Sequence, residues 1–361
     1  MKDTLFNRNT LIFALLLSVG VSLFTSRILV PLVYYPFYVL LLIGLIKQSV
    51  FKLNVNHLSL LATVFLIFIF HLPYVKDFTS NFIYTCLWLV NILISALVYN
   101  MKSTVAIEKS LAYFGFFLIG TFVLLRLLGM HPSGFYGSLG FNINLVAFFV
   151  TFSIYYLFIN VQGIKSRYVK YLLAALSLLT GSRMHLLMYF GYAAFQSKFV
   201  LYLSLIFGVA LGLYFLPSAS IFFDAVSYLS TGQFSFSEKF DDTRRIYLAI
   251  AALESLKNTF PLGSGFGLEN YVQFAGINIG EAYSGSVRLS MSHNFYLSYL
   301  ALSGVFFIPL LVFLLRPIFN SVNEYKYLYM MFLIGIAFNE YITSPIFWVV
   351  HGLMLRESFK R

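Results

Sequence analysis

The chain consists of long apolar runs separated by short polar segments. A helix that crosses the hydrocarbon core of a bilayer needs about 20 predominantly apolar residues. The pattern therefore predicts an all-α polytopic integral membrane protein with about twelve transmembrane helices. The predicted spans are 10–26, 29–46, 57–74, 80–99, 110–129, 143–160, 167–181, 183–197, 198–216, 293–315, 325–339 and 342–355.

One polar segment, residues 217–292, is much longer than the other connections. It divides the chain into residues 1–216 with nine spans, a loop domain at 217–292, and residues 293–361 with three spans and a tail. Within the loop, DDTRRIYLAIAALESLKNTFP predicts an amphipathic helix that ends at a proline. The candidate caps are Asp241, Asp242 and Thr243, the proline is Pro261, and the apolar face comprises Ile246, Ile250, Leu253 and Leu256.

The next stretch, PLGSGFG, has glycines at positions 263, 265 and 267. Such a stretch is either a turn or a cradle for phosphate. A dinucleotide-binding cradle follows a strand, and no strand is predicted before this stretch. We therefore favour the turn.

Composition supports the membrane prediction, because 60% of the residues are hydrophobic and only 10% are charged. Soluble domains carry about 25% charged residues. The net charge of +11 does not indicate nucleic-acid binding, since the cations form no basic stripe between exposed aromatic residues. The single cysteine, Cys86, excludes a disulfide framework and a cysteine-based metal site.

The distribution of cations predicts the orientation of the chain. If the N-terminus is cytoplasmic, 15 of the 24 Lys and Arg residues fall on the cytoplasmic side. Five of the remaining nine lie in the long loop, whose charge has little influence on orientation. We therefore expect both termini in the cytoplasm and residues 217–292 on the outer face.

Ionisable residues at membrane depth are costly, so each is a candidate functional residue. Arg183 interrupts two apolar runs, on the side that the positive-inside rule disfavours for cations. It either extends to the interface or serves an anionic ligand. Arg244 and Arg245 lie in the first turn of the predicted loop helix, where the positive end of the helix dipole disfavours cations. They either pair with the preceding aspartates or offer a guanidinium group to a phosphate.

The segment MSHNFYLSYLALSG places His293 at the start of the tenth span, with Ser292 as its expected N-cap. The positive end of the helix dipole there favours a neutral imidazole, which accepts a proton. The alternative is a histidine that is only tolerated at the interface. The residues alone thus predict an outer-face site for an anionic, lipid-linked substrate. No Asp-x-Asp motif or histidine cluster indicates a metal.

Together these segments resemble the bacterial O-antigen polymerase and O-antigen ligase superfamily. In that family a His-Asn pair opens the helix after the large periplasmic loop, and a glycine follows about ten residues later. Here these residues are His293, Asn294 and Gly304, although the doubled glycine often found slightly later is missing. The family also has an arginine at the start of an Ala-rich loop helix that runs into a Pro-Leu-Gly-x-Gly turn, and Arg245 takes that position by its spacing to Pro261.

Three further segments are similar to the family within residues 130–345. The segment LTGSR is similar to the Ser-Arg pair that the family has at the start of a helix, and Arg183 is the arginine of this pair. GSLGFNINLVAFF is similar to its Gly-x-x-x-Asn segment, with Asn144 as the key residue. Glu340, in FNEYITSP, corresponds to an acidic residue before the last span.

The resemblance implies a membrane-embedded glycosyltransferase fold in the bacterial inner membrane, with its active site facing the periplasm and no metal or cofactor. Its substrates would be oligosaccharides carried on undecaprenyl diphosphate, and a chain-length regulator in the membrane is an expected partner. The implied catalytic residues are His293, Arg245 and Arg183. The expected substrate-binding residues are Asn294, Asn144, Arg244, Arg288 and Glu340.

The leading hypothesis is a polymerase that transfers a growing glycan from its lipid carrier to the next lipid-linked repeat unit. A ligase that transfers the finished chain to lipid A core uses the same donor, so the same residues serve both activities. A lipid-linked oligosaccharide flippase belongs to another class and more often shows repeated halves and charged central helices. A non-catalytic membrane scaffold is the remaining alternative.

Overall fold

The computed structural model describes residues 52–101, 104–129, 143–160, 172, 176, 241–267, 270–271, 274, 294–320, 325–336, 342 and 344–357. All regular structure in these residues is helical. The helices, in chain order, are α1 (Val55–His71), α2 (Phe78–Asn100), α3 (Val105–Leu127), α4 (Ile143–Asn160), α5 (Asp241–Thr259), α6 (Phe295–Ser303), α7 (Phe307–Asn320), α8 (Tyr325–Ile336) and α9 (Pro345–Glu357). A 3₁₀ turn, Gly304–Phe306, joins α6 to α7.

Most helices within the described residues follow the predicted spans to within a few residues, and α4 covers the residues predicted for it. Among the residues that the structure describes, two apolar stretches, Phe78–Asn100 and Phe295–Phe319, are by length and composition sufficient to cross a membrane. The predicted spans 10–26, 29–46, 183–197 and 198–216 lie outside the described residues, as does 167–181 apart from residues 172 and 176.

The span predicted at 293–315 corresponds to the apolar stretch Phe295–Phe319, but the structure breaks its helix at Gly304. The backbone there has φ +54° and ψ −131°, so the α-helical hydrogen-bond ladder stops. Phe306, just after the break, stacks on Phe70 in the last turn of α1, with ring centroids 5.1 Å apart. The Tyr296 hydroxyl, at the other end of α6, donates to the Leu333 carbonyl in the last turn of α8 at 2.9 Å.

The core of the described residues is mainly apolar, but several helices also bury polar side chains while they expose large apolar ones. On α1, the buried polar residues include Asn56, His57, Thr63 and His71, whereas Leu58, Phe65, Leu66, Ile69 and Phe70 are exposed. A soluble helix buries its apolar face, so this arrangement suits lipid around the bundle.

Helix α2 occupies a central position, since α1 and α9 both pack against it, while α3 packs on α4 and α8 on α9. Gly352 of α9 lies directly against the Ser95 carbonyl of α2, where an added Cβ would collide with it. A small residue at such a crossing lets two helix backbones approach closely. Trp88 of α2 and Trp348 of α9 form an edge-on pair between these helices, with ring centroids 5.6 Å apart.

The bundle has two distinct ends. At one end, the backbone N–H of Lys52 donates to the Asn100 side chain at 3.0 Å, and Arg356 donates to the Thr104 hydroxyl at 2.8 Å. We call this the basic end. At the other, the connection between α1 and α2 contacts residues 261–274, and we call this the loop end.

Candidate functional site

The loop helix predicted from the sequence is present as α5 and ends at Thr259, two residues before Pro261. It begins at Asp241, so all three candidates for its N-cap lie inside the helix. The predicted apolar face is partly wrong, because Leu253 is exposed and the buried residues include Ala251, Ala252 and Ser255. These small side chains allow α5 to approach α6 closely, and the two helices pack together.

The segment PLGSGFG forms a turn that is hydrogen-bonded to the broken helix. The backbone N–H groups of Ser264 and Gly265 donate to the carbonyls of Ala301 and Leu302 at 3.0 and 2.9 Å. In return, the N–H of Val305 donates to the Pro261 carbonyl at 2.8 Å. A helix that breaks inside a protein leaves backbone groups that need partners. The turn supplies these partners, so the break and the turn form one structural unit.

This arrangement excludes a phosphate cradle formed by the N–H groups of residues 262–266. Those of Leu262 and Gly263 both donate to the Thr259 carbonyl, at 3.0 and 3.1 Å. The next two donate to the α6 carbonyls, and that of Phe266 donates to the Asn81 side chain at 2.9 Å. A phosphate cradle needs N–H groups that point at the ligand. The turn interpretation of the glycine-rich stretch is therefore confirmed.

Two glycines of this unit are required by close backbone contact. Gly263 has φ +92°, and a Cβ added to it would lie 2.6 Å from both the Gly304 nitrogen and the Leu302 carbonyl oxygen. A Cβ added to Gly304 would collide with the Pro261 carbonyl. Positive φ and backbone contact both disfavour any side chain. The glycine that the family resemblance places ten residues after the His-Asn pair is thus the point at which the turn docks.

The connection between α1 and α2 fixes the other side of the turn. The buried His71 ring lies with Nε2 2.9 Å from the Leu262 carbonyl oxygen and Nδ1 2.6 Å from the Ile67 carbonyl oxygen. Asn270 accepts from the Asp77 backbone N–H at 2.7 Å and donates to the Asp77 carbonyl at 3.0 Å. The loop segment is therefore held both by a broken helix and by the tip of a helix pair.

Asn294 is the N-cap of α6. Its backbone is extended, and its side-chain oxygen accepts from the Leu297 N–H at 3.1 Å. The expectation that Ser292 caps this helix is therefore wrong, because an asparagine two residues later satisfies the first-turn donor. His293 precedes the cap instead of lying in the first helical turn, and it falls outside the described residues.

The structure places few of the other predicted site residues. Arg244 and Arg245 belong to the beginning of α5, and Asn144 belongs to the first turn of α4. The candidates outside the described residues are Arg183, Arg288, His293 and Glu340. Among the predicted site residues, Asn294 is thus the one whose side-chain contacts are described.

The sequence analysis did not single out a buried polar cluster near the basic end. His57 of α1, Ser95 of α2 and His351 of α9 are fully buried and joined by hydrogen bonds. Their signal in the sequence is a histidine at the start of one apolar run and another inside a second run, NHLSLL and WVVHGLML. Neither histidine belongs to a motif, so no local pattern connects the two.

Comparison with known proteins adds no family. No protein-family model, curated protein or solved structure matches this chain.

Proposed function

We propose that this chain is a surface-polysaccharide polymerase of the bacterial inner membrane. In this proposal twelve helices span the membrane, both termini are cytoplasmic, and residues 217–292 face the periplasm. The enzyme transfers a growing glycan from undecaprenyl diphosphate to the next lipid-linked repeat unit. The O-antigen ligase reaction, with lipid A core as acceptor, is its closest alternative.

One structural observation supports the proposal most. The family resemblance depends on a loop helix, a Pro-Leu-Gly-x-Gly turn and a His-Asn helix start, which are separated along the chain. In the structure α5 packs on α6, the turn hydrogen-bonds to the end of α6, and Asn294 caps its beginning. Three segments chosen from sequence alone therefore form one contiguous unit at the loop end.

The proposed chemistry assigns each residue one task. An acceptor hydroxyl attacks the anomeric carbon of the donor while the bond to the diphosphate oxygen breaks. His293 accepts the proton of the hydroxyl, a contribution of about 10²–10⁴-fold for a general base. Arg245 and Arg183 stabilise the negative charge of the departing diphosphate, for which the planar guanidinium group is well suited.

Deletion of the gene, followed by gel analysis of surface polysaccharide, separates the candidate activities. A core that carries a single repeat unit indicates a lost polymerase. A bare core with accumulating lipid-linked polymer indicates a lost ligase. Unchanged polysaccharide in the deletion strain contradicts both.

Site variants then test the assigned residues. We expect His293→Gln and Arg245→Ala to abolish polymer while the protein still inserts in the membrane. Arg245→Lys should restore little, because an ammonium group cannot make the two-pronged contact. Arg244→Ala is the neighbouring control and should have a milder effect. Normal polymer from His293→Gln removes the base role, since an amide accepts no proton at neutral pH.

The buried histidines favour one second candidate, a flippase for the same lipid-linked oligosaccharide. Ionisable residues buried between membrane helices often mark proton or substrate pathways. Loss of a flippase traps the repeat unit on the cytoplasmic leaflet, whereas loss of the polymerase leaves it on the periplasmic leaflet. Accessibility of the accumulated sugar to a periplasmic lectin in the deletion strain distinguishes the two.

A further inference from the structure

Four buried side chains from three helices form a hydrogen-bonded chain near the basic end. The Asn56 amide nitrogen lies 3.3 Å from His351 Nε2, and His351 Nδ1 lies 2.7 Å from Ser95 Oγ. Ser95 Oγ lies 3.0 Å from His57 Nε2. We call these residues the histidine chain.

With its NH₂ group facing His351, Asn56 defines one consistent set of bond directions. An amide NH₂ group can only donate, so His351 accepts at Nε2 and carries its proton on Nδ1. That proton is donated to Ser95 Oγ, and the Ser95 hydroxyl can then donate to His57 Nε2. In that arrangement His57 carries its proton on Nδ1, which has no hydrogen-bond partner among the described residues. Both rings are neutral in this arrangement.

The histidine chain can bind one additional proton by a small rearrangement. A proton from water adds to His57 Nε2, and the Ser95 hydroxyl turns away. Its oxygen has two lone pairs, so it accepts from His57 Nε2–H and His351 Nδ1–H together. Its own hydrogen passes to a backbone carbonyl one turn earlier in α2, the usual acceptor for a helical serine. A second proton on His351 Nε2 would oppose the Asn56 NH₂ group, so the chain holds one.

The surroundings of the chain keep its geometry fixed and exclude bulk water. Gly352 seats α9 against the Ser95 carbonyl, immediately beside His351. The rings of Tyr99 and Tyr329 lie 5.7 Å from His57 and 5.4 Å from His351, and the Trp348 ring also lies 5.4 Å from His351. The formally charged residues of the four contacting helices are at helix ends: Lys326 at the start of α8, and Arg356 and Glu357 in the last turn of α9.

The histidine chain lies only one to two helical turns from the basic end of the bundle. Ser95 lies five residues before the end of α2, and His351 six residues before the end of α9, which corresponds to about 8–9 Å at 1.5 Å per residue. His57 lies in the first turn of α1. A proton therefore reaches the chain from the basic end, which the positive-inside rule assigns to the cytoplasm.

Packing alone gives no reason for this cluster. A buried donor without a partner costs about 1–3 kcal/mol, and apolar residues would fill the same space without that cost. We propose that the histidine chain is a single-proton binding site in equilibrium with the basic side of the membrane. This inference is independent of the proposed glycosyltransferase activity.

The test uses the full-length protein in lipid nanodiscs, with ¹⁵N-labelled histidine rings observed by NMR across about pH 3.5–8, because burial disfavours a charged ring and histidine otherwise titrates between about pH 5 and 8. His351 precedes Gly352 in the single His-Gly pair of the sequence, so paired ¹³C-His and ¹⁵N-Gly labelling assigns it without a substitution. His57 is assigned by loss of its signals in His57→Gln. We expect both rings to respond with one shared midpoint that corresponds to one proton.

Ser95→Ala removes the bridge and should abolish the shared midpoint. The matched control is Ser153→Ala, because Ser153 is also a buried helical serine but donates to the Ala112 and Phe149 carbonyls. The control should leave the shared midpoint in place. The proposal is overturned if neither ring responds in this pH range, or if the two rings titrate independently in the unsubstituted protein. The unsubstituted titration decides even if Ser95→Ala does not fold.

Discussion

The loop end and the basic end are held together by different kinds of hydrogen bond. At the loop end, backbone groups of residues 261–265 pair with backbone groups of residues 301–305. At the basic end, the helices are joined through the side chains of His57, Ser95 and His351. Hydrogen bonds between backbone groups are compatible with many side chains but not with a changed backbone conformation. Hydrogen bonds between side chains are lost when one of the participating residues is replaced. The two ends should therefore respond differently to the same kinds of substitution.

The largest expected effect comes from adding a methyl group where the turn docks. We expect Gly263→Ala to lower the free energy of unfolding by about 2–5 kcal/mol, since it combines backbone collision with a left-handed conformation. Thermal unfolding in detergent, followed by circular dichroism, measures the change. Gly120→Ala is the matched control, because no atom lies within 4 Å of its added Cβ and alanine is the better helix former. Equal stability of the two variants would mean that the turn does not dock on α6.

A side-chain link within the loop end sharpens the comparison. His71→Ala should destabilise the protein by about 1–3 kcal/mol, because the ring nitrogens that face the Ile67 and Leu262 carbonyls would be lost. Limited proteolysis of the 260–274 region should accelerate in this variant. If the cleavage rate stays unchanged while Gly263→Ala accelerates it, backbone pairing alone holds the turn.

Gly352→Ala should destabilise the packing of α9 on α2. Unlike Gly263, Gly352 does not have a left-handed backbone conformation, so only the collision of the added Cβ contributes. The added Cβ would collide with the Ser95 carbonyl, and overpacking of this kind costs about 1–3 kcal/mol. Cysteines placed on α2 and α9 in a Cys86→Ser background report the helix separation through their cross-linking rate. We expect slower cross-linking in the variant, and an unchanged rate would show that α9 does not seat directly on Ser95.

The smallest effect should come from the cap of α6. Asn294→Ala removes the acceptor for the Leu297 N–H and should cost about 0.5–2 kcal/mol. Asn294→Ser keeps a capping oxygen and should retain stability. Polymer formed by the serine variant then separates two roles for this residue. Lost polymer with normal stability indicates substrate contact, whereas normal polymer leaves Asn294 as a cap alone.

The sequence predicted the helices well where apolar runs and punctuation coincide, as at Pro261 after α5. It predicted the PLGSGFG turn because glycines mark unusual backbone conformations. It did not predict the break at Gly304, because an uninterrupted apolar run predicts one continuous helix. The backbone groups freed by the break pair with residues 261–265, about forty positions earlier in the chain. Leu253 was placed on the buried face of α5 by periodicity, yet alanines occupy that face because close helix packing selects small residues.

The histidine chain could not be assembled from sequence for a related reason. Its members lie on α1, α2 and α9, and His57 and His351 are separated by nearly three hundred positions. No local period connects such residues, and only the packing of α9 against α2 brings them together.

Both tryptophans of the chain, Trp88 and Trp348, lie in ring contact at the centre of the bundle. The Trp88 indole N–H donates to the Tyr299 hydroxyl on α6, and the Trp348 ring lies beside His351. Their intrinsic fluorescence therefore originates from one buried cluster that contacts both α6 and the histidine chain. Emission wavelength and quenching would report movement of α6 or α9 without any attached label, and each single Trp→Phe variant would assign the signal to one tryptophan.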